Sequence, residues 1–234
     1  MDEISRSVIL KEKLRSREHV KKKKQLSSNL KDLDATKLTP RRLRLLGILP
    51  LAFFTAQAIH YYQIDQLGNM LWMCNIGNLL LAIGLFAEQT ILIRVAVIWM
   101  LPGVVVWFVY VVPTWGTLLT GRFSFAELFA VVSSTLAHLG GCAVGLVVLR
   151  KVKVDASTWL YAFVWYFIVQ LISRLTTAAA LNVNLSQNIQ AGWEGGFSSY
   201  LKFWLLLSLL VGSCLWILGS VLRVLWPAES SPEL

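Results

Sequence analysis

Long apolar runs with almost no charge decide what this chain can fold into. Six follow one another after residue 44: roughly Leu45 to Tyr61, Leu67 to Ala87, Ile91 to Val112, Ser124 to Leu149, Trp159 to Leu181 and Tyr200 to Trp226. About 20 apolar residues in a helix cross the hydrocarbon core of a bilayer. Lipid offers no hydrogen bonds to backbone groups, so such runs must satisfy their own and become helices. The chain is 56% hydrophobic, against roughly 45–50% in soluble domains. The expected fold is therefore all-α: a polytopic six-transmembrane-helix bundle. Trp115, Trp159, Tyr161, Trp193, Tyr200 and Trp226 fall near run ends, where an aromatic belt belongs.

Charge orients the bundle. Of the 22 Lys and Arg residues, 14 precede Leu45, including Lys21-Lys22-Lys23-Lys24, alongside 6 of the 13 acids. Nearly all of the net charge of +9 therefore sits in the first segment. Three more basic residues lie between Arg150 and Thr158, and Arg223 ends the last run. The alternate connections, 62–66, 113–123 and 182–199, hold only Arg122. By the positive-inside rule both termini are cytoplasmic and the span number is even. Three segments follow: a basic cytosolic tail, 1–44, partly disordered or amphipathic; a transmembrane domain, 45–226; and a short C-terminal tail, 227–234. The tail's expected partner is the anionic headgroups of a cell membrane. Basic tails also bind nucleic acid, but beside a membrane span orientation is the commoner role.

Cys74, Cys142 and Cys214 all fall in spans, with no disulfide or zinc spacing. The first run begins late and lacks a cleavage site, so no signal peptide is read. No phosphate loop, nucleotide fingerprint or metal cluster is present, and no cofactor is expected.

Polar side chains inside the spans carry the functional information. In Trp72-Met73-Cys74-Asn75-Ile76-Gly77-Asn78, Cys74 and Asn78 share a helix face, with Asn75 beside them. In the fourth span His138 lies near mid-membrane, with Ser134 and Cys142 one turn to either side and Glu127 on the same face. Gly141 and Gly145 read as a close-packing seam. The fifth span carries Gln170 and Arg174 at mid-depth. Arg174 needs a partner, either Glu127 or a lipid phosphate. Arg94 is placed to snorkel. The amide-rich connection after Asn182 either caps a site mouth or is an ordinary solvated loop, and its composition favours the loop.

A thiol and an imidazole have the chemistry of nucleophilic acyl transfer, and Asn75 or Asn78 could donate to an oxyanion. Cys142 is a rival nucleophile on helical spacing, and Cys214 reads as packing. A thiol in apolar surroundings is inert unless its base is adjacent.

With Cys74-Asn75, the deep His138 and six spans, the chain resembles the YwaF-like bacterial integral membrane proteins. That family is related to eukaryotic transmembrane phospholipid acyltransferases and androgen-induced lipid hydrolases. The resemblance implies Cys74 as nucleophile and His138 as its base, acting on membrane lipids. Arg174 and the amide-rich loop match no motif of that family. The expectation is a lipid acyltransferase or hydrolase. The alternative is a non-enzymatic carrier of a small or lipidic ligand, or an accessory membrane subunit.

Overall fold

A computed structural model describes residues 40–118, 121 and 124–226. The basic tail before Pro40, Arg122 and the C-terminal tail lie outside the described residues. The described chain is helical, with no strand among those residues. Five helical stretches are long and apolar enough to cross a membrane: Arg41–Gln63, Thr90–Val109, Phe125–Leu149, Thr158–Thr176 and Tyr200–Leu225.

The first stretch is two helices, α1 (Pro40–Leu46) and α2 (Ile48–Gln63), joined at Gly47. Pro50 falls in the first turn of α2, where a missing N–H costs nothing. The expected helix from Leu67 to Ala87 is not continuous. A 3-10 turn, Leu67–Leu71, precedes α3 (Met73–Phe86), and Trp72 between them is extended at φ −56° and ψ 137°. Next comes α4 (Thr90–Leu118), which runs through Pro102 without ending.

A further stretch comprises α5 (Phe125–Thr135), a π-helical turn (Leu136–Gly140) and α6 (Gly141–Leu149). Ser124 caps α5 reciprocally: its hydroxyl accepts from Glu127 N–H at 3.3 Å, and Glu127 Oε2 accepts from Ser124 N–H at 2.9 Å. Glu127 is thus an exposed cap and not part of an interior polar face. The bundle closes with α7 (Thr158–Thr176) and α8 (Tyr200–Leu225).

The core is built where α3, α4 and α6 meet. Leu81 and Val97 are fully buried there, and Ile98 and Trp99 of α4 are fully buried toward α7 and α8, where Trp99 Nε1–H donates to the Ala162 carbonyl at 3.0 Å. Gly141 and Gly145 form the expected seam: a Cβ at Gly141 would lie 2.1 Å from Asn78 Oδ1, and one at Gly145 would lie 2.6 Å from Val97 Cγ2. Outward-facing side chains stay apolar. Leu205, Leu209, Trp216 and Val224 of α8 are each more than half exposed, which suits a lipid-facing surface.

The two ends of the bundle differ. Arg44 pairs with Glu88 at 2.7 Å at one end. Arg94 and Asp155 form an ion pair at that same end. Arg94 therefore does not snorkel: it ties α4 to the turn before α7. The other end is built from amides, and the cavity reaches it at Asn184.

Candidate functional site: an aromatic cavity under an amide cap

A partly open cavity of about 540 Å³ lies between α2, α3, α4, α5, α7 and α8. Its walls are predominantly apolar, with Trp72, Trp99 and Trp107 prominent. Cys74, Asn75 and His138 all line it, as do Tyr61, Ser134, Tyr166 and Asn184. Three of the six expected site residues are therefore brought to one place. Asn78, Gln170 and Arg174 are not in the lining.

His138 is held from two sides. Its Nδ1 lies 2.8 Å from the carbonyl oxygen of Ser134. A carbonyl can only accept, so Nδ1 carries the proton and the lone pair resides on Nε2. The ring stacks on Trp107, with centroids 5.4 Å apart and planes 14° from parallel. Trp107 is fixed in turn by its Nε1–H, which donates to Ser134 Oγ at 2.9 Å. The π turn that contains His138 loosens the local hydrogen-bond ladder, a device common at functional sites. It also shifts the helical phase, and Cys142 is buried away from the cavity. Cys214, expected to be packing, does line it.

Cys74 sits in the first turn of α3, pressed against Gly103 of α4, where a Cβ would stand 2.9 Å from its own. Its thiol and His138 line the same cavity, and no hydrogen bond joins them among the described residues. Asn75 is 2% exposed. Its Nδ2 donates to the Asn69 carbonyl at 3.0 Å, which fixes the amide's orientation and leaves buried Oδ1 with no partner. Asn78 is fully buried and acts as a clamp. Its Nδ2 donates to Cys74 O at 3.0 Å and to Ala137 O at 2.8 Å, locking α3 to the π turn.

The first part of the amide-rich connection, 182–187, folds as a cap, while 191–196 is an exposed loop. Asn184 adopts left-handed backbone, φ 53° and ψ 24°, and is buried. Its Nδ2 donates to Leu71 O at 2.7 Å and its Oδ1 accepts from Met73 N–H at 3.2 Å. One side chain thus satisfies both backbone groups flanking the break at Trp72. Gln170 holds the cap from below, donating to Asn184 O at 3.1 Å and to Tyr166 Oη at 2.7 Å, and accepting from Trp204 Nε1–H at 2.7 Å. Its polar atoms are fully used, so it supports the cavity without reaching into it.

Arg174 is not at mid-depth. Helix α7 ends at Thr176, so Arg174 lies in its last turn and is exposed. It donates to Ser186 O at 2.9 Å and stacks over the Tyr200 ring at 5.2 Å. Its partners are a carbonyl of the cap and an aromatic face, not Glu127.

Tyr61, Trp107, Tyr166 and Asn184 were not read from the sequence as site residues. Tyr61 had the signature of an interfacial belt. Asn184 carried one usable signal, since asparagine tolerates left-handed backbone better than most residues. Comparison with protein-family models, curated proteins and solved structures finds no match to this chain.

Proposed function

We propose that this chain is a six-span protein of the cell membrane, termini cytoplasmic, whose bundle binds a ligand that is apolar along most of its length and polar at one end. The cavity carries this reading. Its volume of about 540 Å³ lies in the range of small-molecule sites, which are mostly apolar with a few placed polar groups. Aromatic and aliphatic walls suit a chain or ring system, and His138 suits its end.

Supporting six crossings, α3 rises about 21 Å and the 3-10 turn before it adds about 10 Å, together near the hydrocarbon thickness. Irregular backbone at such depth is tolerated where protein satisfies it, and Asn184 does so at Trp72. The arrangement of Lys and Arg supports cytoplasmic termini, and the basic tail suits anionic headgroups.

The test is retention of ligand by the purified full chain. Lipid extracts of the wild type should contain an amphiphile enriched over bulk membrane lipid. Val211→Trp, which fills the cavity from α8, should lose it. Equal composition in both extracts would sink the reading.

A second reading is favoured by one observation: Cys74 and His138 line the same cavity, and Nε2 is free. In it Nε2 takes the thiol proton and the thiolate attacks an ester carbonyl. The carbon–oxygen bond breaks and the alkoxide leaves with the proton from His138, giving a thioester on Cys74. This requires the thiol and Nε2 to come within hydrogen-bond reach. A hydroxylamine-sensitive acyl mass on the wild type, absent from Cys74→Ala, is the expected sign. No acyl mass after incubation with phospholipid vesicles would leave binding alone.

A further inference from the structure

Hydrogen-bond bookkeeping in the cavity narrows the ligand beyond that proposed function, on which this inference rests. One acceptor there, His138 Nε2, has no protein donor among the described residues, because Nδ1–H is committed to the Ser134 carbonyl. Asn75 Oδ1 also lacks a donor, but it is closed off from the cavity, and Nδ2 is committed to the Asn69 carbonyl. A buried acceptor left unmatched is penalised, so a group that donates to Nε2 is strongly preferred over one that cannot.

The same wall also offers hydrogens. The Tyr61 hydroxyl and the Cys74 thiol line the cavity, and the phenol neighbours both Cys74 and Asn75. A matching ligand group therefore donates and accepts at once. No lysine or arginine lines the cavity among the described residues. A carboxylate or phosphate would bring further acceptors and a net charge into a wall with no cation, at a heavy desolvation cost. An ester carbonyl only accepts, and would leave Nε2 unpaired.

We infer that the cavity selects an uncharged amphiphile ending in a free hydroxyl, such as a long-chain alcohol or a partial glyceride, with that hydroxyl donating to His138 Nε2. The aromatic walls take the chain.

Three probes separate the possibilities: an undecanol brominated at its far end, its methyl ether, and the methyl ester of the corresponding brominated acid. Bromine quenches tryptophan on close contact, and Trp72, Trp99 and Trp107 line the cavity. Each probe is titrated into the full chain in detergent, with quenching of free tryptophan octyl ester in the same micelles subtracted. The alcohol should quench saturably at a concentration roughly three- to tenfold below the ether, the range expected for one neutral hydrogen bond. The ester should behave like the ether. In His138→Phe or His138→Leu the alcohol's advantage should shrink.

Equal quenching by alcohol and ether in the wild type overturns the hydroxyl requirement while leaving the cavity's role as a binding site intact. Tighter binding of the ester overturns it in favour of acyl chemistry. Absence of saturable quenching by any probe removes the binding reading as well. The wild-type comparison decides the matter even where neither variant folds.

Discussion

Asn78 Nδ2 donates to the carbonyl of Ala137 at 2.8 Å, and the same amide's oxygen lies where a Cβ on Gly141 would come within 2.1 Å of it. One buried side chain thus bonds the π turn and fills the gap a glycine leaves. Asn78→Ala should cost about 1–3 kcal/mol, since two carbonyls lose a buried donor. Gly141→Ala should cost a similar amount by overpacking. The two costs should not add: removing the Asn78 amide makes room for the methyl. Thermal unfolding of both single variants and the double variant in detergent checks this. Additive costs would mean the two helices do not meet as described.

Asn184 predicts a graded series. Asn184→Gly keeps the left-handed backbone but loses the bonds to Leu71 O and Met73 N–H. Asn184→Ala loses both bonds and adds about 1–2 kcal/mol for left-handed backbone. Alanine should therefore be the more damaging change. Amide exchange at Met73 should quicken in both, because its N–H loses its acceptor. Unchanged exchange in Asn184→Gly would show that the side chain does not close the break.

Helix content was legible because long apolar runs leave lipid-borne backbone one economical solution, and Ser124 and Pro50 mark their ends by ordinary capping chemistry. The break at Trp72 was not legible. Leu67 to Ala87 is apolar on both sides of it, so hydropathy carries no trace of a bond supplied by Asn184, 111 residues from Met73. Counting by fours along Ser134, His138 and Cys142 assumed a regular helix. The π turn invalidates that count beyond His138, which is why Cys142 leaves the cavity. Arg174 was misplaced because the run Trp159 to Leu181 stays apolar past the point where α7 ends. Cys74, Asn75 and His138 were legible as a group because polar side chains at membrane depth face inward and meet whatever else does.

Asp155 gives a pH prediction at the charged end. Burial pulls its carboxyl up, but hydrogen bonds from Thr158 and Ser157 and the Arg94 guanidinium outweigh that and hold it below the usual aspartate range. A lowered folded-state value means the carboxylate stabilises the fold above the unfolded-state value, and that contribution fades as pH falls through the folded-state value. Asp155→Asn should be less stable than wild type at neutral pH, with the gap closing in acid. A constant gap across the acid range would assign the loss to packing alone.

The hydrogen-bond pattern also fixes a tautomer that spectroscopy can read. Ser134 O cannot donate, so neutral His138 must carry its proton on Nδ1. Free neutral histidine leans to the other tautomer, so this one is imposed by the fold. Nitrogen-15 spectra of the labelled chain should show an Nε2 resonance of the unprotonated type for His138 and a protonated Nδ1. Addition of a long-chain alcohol should move the Nε2 resonance toward hydrogen-bonded values and leave Nδ1 in place, because only Nε2 is open to the cavity. Ser134→Ala removes the hydroxyl but keeps the carbonyl, so the tautomer should persist while Trp107 loses its anchor at 2.9 Å. A protonated Nε2 in the wild type would invert the logic: the cavity would then present a donor at His138, and an ester carbonyl would become the better match.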